Sequence, residues 1–524
     1  MFASKYLVSA ILVATFVGRK GAAHFGSTFP GSAVSDSGYV AGYFSAIHAS
    51  GTNPFSSSSI DLIAWPAGLR NHGVLNATSP LSIAVQWFLS GIFNAATAQF
   101  VLGFIGVVFT FLVSAYALRN LEVHKFVVPL GACLVAISPM MLQWWSANPP
   151  YAQNWIFVLV IWAAVKYCKG PTLRRGFCLG GAILVGVTWS QYFAVFCLIL
   201  GAVSYLIAWH ETGGKRVLSF ASVFSPSFIC IVVYFLISRL DTRQIPVRAS
   251  SDSSKLYLHL NEILDGNRAT YFGVGLLAFS LIPFLNQQFF SQISKKMMLF
   301  CYLSALALLV FFSNPKVGPI PLPGRLVSFF IPQIRSGWYA AQPIQVILVF
   351  ICACVLTQIL SSGQKKLKSI GVILFAILLV FDNYRIPITE KDRWMSPAPQ
   401  ESISVKTLSQ LPPGAVAHFP WELSNEYPYG PLPTPCLYLD THRHPIVNSC
   451  GIHYSSNDTF PTIEKIQKTA GCGQVRLMRS LNIRYLLIEA AYAQPVLMSC
   501  LKSPNSWRII MDNDGLFELW ELAT

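Results

Sequence analysis

The sequence predicts an α-helical polytopic membrane domain followed by an extracytoplasmic α/β domain. Of its 524 residues, 53% are hydrophobic and only 11% are charged, whereas soluble domains carry about 25% charged residues. Apolar runs fill residues 1–384, but residues 385–524 contain no run of the roughly 20 apolar residues that a span requires. The net charge of +15 comes from the first part, with 25 Lys+Arg against 9 Asp+Glu, compared with 12 against 13 in the second. This distribution excludes a disordered chain and a nucleic-acid-binding arm, and it favours basic loops between spans.

About eleven apolar runs are candidate spans. They lie roughly at residues 6–18, 97–118, 126–143, 154–168, 176–190, 192–209, 217–238, 269–288, 297–313, 340–360 and 369–384. The first run has the length of a signal-peptide core, but Arg19 and Lys20 come before any small-residue cleavage site, which favours a retained span. The two runs that flank Ser190-Gln191 are either separate spans or one broken helix.

Basic residues predict the orientation, because Lys and Arg concentrate in cytoplasmic loops. One set of short loops holds Lys5, Arg119, Lys125, Lys166, Lys169, Arg174, Arg175, Lys215, Arg216, Lys295, Lys296, Lys365, Lys366 and Lys368. We place this set in the cytoplasm. The outside then receives the long first outer loop (residues 19–96), the loops 239–268 and 314–339, and the domain 385–524.

The C-terminal part has the pattern of a mixed α/β domain. Residues 416–419 and 445–447 resemble short strands, and 483–488 form a continuous apolar run of strand length. An Asp-Gly turn at 514–515 between two apolar segments predicts a terminal hairpin. Four cysteines lie in this domain, and an even number outside the cytoplasm permits two disulfides with three possible pairings. They are Cys436, Cys450, Cys472 and Cys500.

The first outer loop is long and aromatic, and loops of such length are usually functional or disordered. It carries two of the few acids of residues 1–384, Asp36 and Asp61. A carboxylate at the membrane surface can take a proton from a nucleophilic hydroxyl or bind a divalent cation that bridges a phosphate. Asp36 also fits a helix N-cap, and Asp61 fits a turn acid ahead of Trp65-Pro66.

Several motifs of this loop resemble the polytopic glycosyltransferases of the C class (GT-C fold), which include many uncharacterised bacterial relatives. The matching segments are Asp36-Ser37-Gly38-Tyr39, Gly51-Thr52-Asn53-Pro54-Phe55 and Asp61-Leu62-Ile63-Ala64-Trp65-Pro66-Ala67-Gly68. Looser matches follow in order at 138–139, 190–193, 271–273, 331–335 and 441–448. The chain departs from the pattern after Ser138-Pro139, where relatives often carry histidines and this chain has Trp144-Trp145-Ser146-Ala147-Asn148-Pro149-Pro150.

The resemblance implies a transferase in a bacterial inner membrane that uses a polyprenyl-phosphate-linked sugar as donor and an extracytoplasmic glycan, lipid or protein as acceptor. The family's outer-loop acid maps onto Asp36, with Asp61 second, as general base or as a ligand of Mg²⁺ or Mn²⁺. Arginine binds phosphate oxygens in a bidentate way, so Arg70, Arg248 and Arg335 are candidates for the donor phosphate. Trp65 and Tyr192 are candidates for stacking on a sugar. Headgroup contacts for the arginines and an interfacial belt for the aromatics are the alternatives.

Three histidines, His442, His444 and His453, invite a metal interpretation, since 442 and 444 would share one face of a strand. Pro445 and the lack of a fourth ligand favour a structural role instead.

Two other functions compete with glycosyl transfer. A lipid or glycolipid transporter would need acids or broken helices at mid-membrane, and the acids here lie in loops and at span ends. A non-catalytic membrane assembly protein would keep the fold without the chemistry.

The predicted orientation can be tested with reporter fusions. A reporter fused after Lys296 should give a cytoplasmic signal and one fused after Gly414 an external signal, measured with paired fluorescent-protein and alkaline-phosphatase fusions. Equal signals at the two positions would exclude an active site outside the cytoplasm.

Overall fold

A computed structural model describes most of the chain. The described residues are 2–19, 28–30, 36–56, 59–62, 69–70, 79–212, 217–240, 272, 274–285, 292–312, 316–317, 320–321, 337–361, 369, 373, 395–397, 402–419, 434–448, 465–466, 469, 471–489, 495–502, 507–512 and 514–522.

Helices dominate the described residues. In chain order they are α1 (Phe2–Val17), α2 (Asp36–Ser50), α3 (Pro80–Ile92), α4 (Ala95–Asn120), α5 (Val127–Ala136), α6 (Pro139–Ala147), α7 (Asn154–Lys169), α8 (Leu173–Trp189), α9 (Gln191–Thr212), α10 (Val217–Leu240), α11 (Val274–Leu285), α12 (Gln292–Phe312), α13 (Ala341–Ser361), α14 (Ile403–Ser409), α15 (Thr434–Leu437), α16 (Leu439–His442), α17 (Cys472–Ser480) and α18 (Pro495–Leu501). Short 3₁₀ turns lie at Pro149–Tyr151 and Gly337–Ala340.

Ten strands lie in the same described part of the chain. They are β1 (Thr28–Pro30), β2 (Ser59–Ile60), β3 (Leu69–Arg70), β4 (Lys316–Val317), β5 (Ile320–Pro321), β6 (Met395–Pro397), β7 (Ala415–Phe419), β8 (Ile483–Glu489), β9 (Trp507–Met511) and β10 (Phe517–Leu522).

The chain is a multi-pass membrane protein. Among the described residues, five helical segments are long and apolar enough to cross a bilayer: 95–120, 127–147, 191–210, 295–312 and 341–361. Helices also overlap each of the other predicted spans between 6–18 and 340–360. These helices are shorter or less apolar than the five segments above. The predicted run 369–384 lies, except for two residues, outside the described part, so a count of eleven spans stays a prediction.

Two breaks are visible in the described helices, the first at a position that the sequence left open and the second inside the predicted span 126–143. Ser190 has extended backbone (φ −162°, ψ 148°) and separates α8 from α9, so this segment is two helices rather than one. Pro139, which has no backbone N–H, occupies the first turn of α6 and separates it from α5.

The C-terminal sheet has the order β7-β8-β10-β9, with β7 parallel to β8 and the other pairs antiparallel. Alternate residues of β8 enter different cores: Tyr485 and Leu487 pack towards α14, α15 and α16, whereas Leu486 and Ile488 pack towards α17 and α18. A strand covered on both faces is expected to be apolar throughout, which explains the continuous run at 483–488. Residues 445–447, predicted as a strand, make only an isolated bridge through Ile446.

A disulfide joins Cys472 of α17 to Cys500 of α18, with a Cα–Cα distance of 5.2 Å. Cys436 of α15 is also disulfide-bonded. Cys450, the remaining predicted cysteine, lies outside the described residues.

Helix α2, from the predicted first outer loop, packs on two sides. Ala41 and Phe44 form a buried cluster with Ala95 at the start of α4. Ala46 and Ile47 are fully buried in the core on one face of the C-terminal sheet. One short helix therefore connects the membrane helices to the sheet.

Candidate active site

The predicted site begins with α2, which starts at Asp36. An acid at the first turn suits the positive end of a helix. The helix continues as a run of small and aromatic residues, and every residue from Ala41 to Ile47 is buried or half-buried. A helix that is covered all round needs no polar face, so the segment that presents Asp36 is held by packing.

Asp61 lies in the turn after β2 and is exposed. The residues on either side of it are anchored in the C-terminal core. Ile60 is fully buried there, and the carbonyl of Leu62 accepts a hydrogen bond of 2.8 Å from the backbone N–H of Ile446. Asp61 is thus presented to solvent at the boundary between the outer loop and the C-terminal sheet.

Asp36 and Asp61 lie towards opposite ends of α2. The fifteen residues of this helix span roughly 22 Å at 1.5 Å per residue. Ile60 shares its core with Tyr43, at the middle of α2, and with Ala46, Ile47 and Ala49 in its C-terminal half. The structure therefore brings Asp61 to the helix that carries Asp36 without bringing it to the same end.

Arg70 belongs to the same hairpin as Asp61. In the antiparallel pair of β2 and β3, Arg70 lies opposite Ser59, two residues before Asp61. The other proposed phosphate ligands, Arg248 and Arg335, lie outside the described residues, as do Trp65 and His453.

Tyr192 is part of an aromatic cluster at the ends of several helices. Its ring centroid lies 4.4 Å from that of Tyr339 and 6.0 Å from that of Tyr151. Trp144 of α6 completes the cluster, with centroids 4.4 Å from Tyr339 and 5.1 Å from Tyr151. Sequence reasoning identified Tyr192 but not Tyr151 or Tyr339, which come from the uncharged segment after α6 and from the turn before α13.

Buried amides hold this cluster in place. The side chain of Gln342 donates to the carbonyl of Tyr151 (2.8 Å) and to Oδ1 of Asn154 (2.7 Å). The amide of Asn154 donates in turn to the hydroxyl of Ser138 (2.9 Å). Because buried polar groups are stable only when paired, this network fixes the turn that carries Tyr151.

The histidines of the C-terminal sheet are structural. His442 accepts the backbone N–H of His444 at Nδ1 (3.0 Å), and His444 donates from Nε2 to the carbonyl of Leu408 (2.9 Å). The other nitrogen of His444 lies 3.3 Å from the N–H of Gly414. Nε2 of His442 is the one nitrogen of this pair without a partner, so His442 and His444 cannot both bind a metal in this arrangement, which supports the structural interpretation over the metal one.

Metal binding was a further expectation. In the part of the chain that the structure describes, no group of three His, Cys, Asp or Glu side chains could hold a metal ion. The expected Mg²⁺ or Mn²⁺ therefore has no ligand set among those residues.

No family model matches the chain, and no curated protein matches it in sequence. Solved structures do match it. The arabinofuranosyltransferase AftD from Mycobacteria aligns with a TM-score of 0.58 and 14% identity, over 99% of this chain and 40% of AftD. ArnT from Cupriavidus metallidurans aligns with a TM-score of 0.54 and 12% identity, over 99% of this chain and 97% of ArnT. The oligosaccharyltransferase of Archaeoglobus fulgidus gives 0.51 and 11%, over 96% and 72%.

These alignments show that the chain has the GT-C fold, as its outer-loop motifs indicated. At such identities they concern the fold alone. The chain spans about 40% of the length of AftD, so it corresponds to a part of that larger protein.

The C-terminal sheet should lose stability in acid. Burial lowers the pKa of His418 to about 3 and that of His442 well below its ordinary 6.5, and the Nε2 atoms of both rings are buried without partners. Below pH 6.5 the unfolded chain binds protons that the folded sheet does not, so stability falls by about 1.4 kcal/mol per pH unit for each histidine. Hydrogen exchange of residues 415–419 in the full chain, corrected for the intrinsic rate, measures this between pH 5 and pH 8.

A matched variant tests the titration of the His418 ring separately from the hydrogen bonds of its backbone. Its backbone N–H and carbonyl both pair with the side chain of Asn448, so His418→Leu keeps these bonds and removes the titrating group. The variant should show a shallower pH dependence, and an unchanged slope would exclude His418 as its source.

Proposed function

We propose that the chain is a membrane glycosyltransferase that moves a sugar from a polyprenyl-phosphate donor to an extracytoplasmic acceptor. The observation that carries this proposal is the packing of α2, which begins at Asp36, between the membrane helices and the C-terminal sheet, in a chain with the GT-C fold. The transferase activities named for AftD and for the archaeal oligosaccharyltransferase support the same class of reaction.

In this reaction Asp36 is the general base. The acceptor hydroxyl gives its proton to the carboxylate as its oxygen forms a bond to the anomeric carbon of the sugar. The bond between that carbon and the phosphate oxygen breaks, and the phosphate leaves with the electron pair. General-base assistance of this kind contributes about 10²–10⁴-fold in rate.

Asp61 takes a different role from Asp36, because the two acids lie towards opposite ends of α2. It shares a hairpin with Arg70, and we assign this pair to substrate binding rather than to proton transfer. Arg248 and Arg335 remain candidates for the donor phosphate, and Trp65 and Tyr192 for the sugar. The long outer segments and the C-terminal sheet face away from the cytoplasm in this proposal.

Replacement of Asp36 tests the proposal. Asn is also a good residue at a helix start, so Asp36→Asn should fold and insert while transfer falls by about 10²–10⁴-fold. The readout is the glycoconjugate that disappears when the gene is deleted, measured in cells that express each variant at the wild-type level. Asp512→Asn, an exposed acid in the C-terminal hairpin, is the matched control and should leave output unchanged.

Replacement of Asp61 by Asn tests the assignment of this acid to substrate binding. Loss of one or two charged hydrogen bonds should lower kcat/KM by roughly 10–100-fold, less than the loss expected at Asp36. Normal output from Asp36→Asn would instead favour a non-catalytic assembly protein. A deletion phenotype of donor accumulation on the cytoplasmic side would favour a transporter.

A further inference from the structure

Among the described residues of the membrane domain, one completely buried side-chain amide has no hydrogen-bond partner. Gln99 of α4 is completely buried, and neither its Nε2 nor its Oε1 is bonded. An unsatisfied group of this kind is destabilising, and native structures rarely keep one without a reason. The buried amide of Gln342, by contrast, donates two hydrogen bonds. Among the described residues, Gln99 is thus a buried side-chain amide with neither atom paired, and this points to a group that is absent from the structure.

The position of Gln99 connects it to the candidate active site. Ala95, one turn before it, packs against Ala41 and Phe44 of α2. Gly103, one turn after it, lies against the indole of Trp145, so closely that a Cβ at position 103 would come within 1.9 Å of the ring. Residues four apart share one face of a helix. Gln99 therefore lies between the helix that begins at Asp36 and the side chain of Trp145.

Trp145 adds a second unsatisfied group. It is 1% exposed, and its Nε1–H has no hydrogen-bond partner. A Cβ at Gly103 would lie 2.2 Å from this nitrogen, so the indole N–H is close to the face of α4 that carries Gln99. A membrane protein thus buries an amide and an indole N–H, both unpaired, on adjoining turns of one packing surface.

The chemistry of these groups selects the ligand. An amide offers two donors and one acceptor, and an indole offers one donor. A phosphate only accepts, so it would leave Oε1 unpaired, and Ala95, Phe100 and Gly103 beside the site carry no charge to balance it. Neighbouring hydroxyls both donate and accept, and they match an amide in a bidentate way. A sugar ring supplies such hydroxyls together with an apolar face that suits an aromatic neighbour.

We propose that Gln99 and Trp145 form a subsite for the hydroxyl groups of the transferred sugar, an inference that rests on the proposed transferase function. Both side chains are enclosed in this structure, so the sugar enters only when α2 or α6 shifts. Since α2 begins at Asp36, occupation of this subsite is coupled to movement of the helix that carries the base.

Paired leucine variants test the subsite in the full chain in lipid nanodiscs. Gln99→Leu removes an amide without partners and should keep or raise the Tm. Gln342→Leu breaks two buried hydrogen bonds and should lower it. The probes are methyl glycosides of arabinofuranose, glucose, mannose and galactose, with inorganic phosphate as the control without sugar. At least one glycoside should raise the Tm of the wild type, and Gln99→Leu should weaken its apparent affinity by about tenfold or more, the effect of losing one or two hydrogen bonds.

Several outcomes would overturn the proposal. A fall in Tm for Gln99→Leu equal to that of Gln342→Leu would give the amide a structural role. The absence of any glycoside response in the wild type, or an equal response in Gln99→Leu, would mean that an ordered water, and not a sugar, pairs with the amide of Gln99. Asp36→Asn should bind glycosides normally, so glycoside binding tests this subsite while glycan output tests the transferase function.

Discussion

The packing of α2 is the interaction on which the rest of the structure depends. Its fifteen residues contain no apolar run long enough to span a bilayer and no charged surface face. It is buried instead between two partners, with Ala41 and Phe44 against the membrane helices and Ala46 and Ile47 in the core of the C-terminal sheet. If α2 left either partner, the outer loop would lose the framework that holds its acids.

Two further contacts strengthen this arrangement. Strand β1 of the outer loop pairs with β6, which precedes the C-terminal sheet in the chain. The carbonyl of Leu62 accepts a hydrogen bond from Ile446, close to the buried histidines that support the sheet. The described part of the outer loop therefore contacts the C-terminal part of the chain at three places, and Asp61 lies at one of them.

Local patterns predicted the elements well. The apolar run at 483–488 and the Asp-Gly turn indicated β8 and the β9–β10 hairpin, because both signals depend on neighbouring residues alone. Outer-loop motifs likewise indicated the fold.

The candidate site was predicted less completely than the fold. The burial of α2, the separation of Asp36 from Asp61, and the meeting of Tyr192 with Tyr151 and Tyr339 depend on contacts between residues far apart in sequence. Gln99 carried no sequence signal, because only the packed structure shows that its amide has no partner.

The contact between the outer loop and the C-terminal sheet holds the candidate site in place, and a cross-link measures this contact most directly. Leu62 and Ile446 are joined by a backbone hydrogen bond of 2.8 Å, so cysteines at both positions, Leu62→Cys with Ile446→Cys, lie within the reach of a disulfide. Mass spectrometry of membranes after mild oxidation should find the linked peptide in the double variant and in neither single variant. Two freely maleimide-reactive thiols and no linked peptide would contradict the account, since the outer loop would then not be held against the sheet.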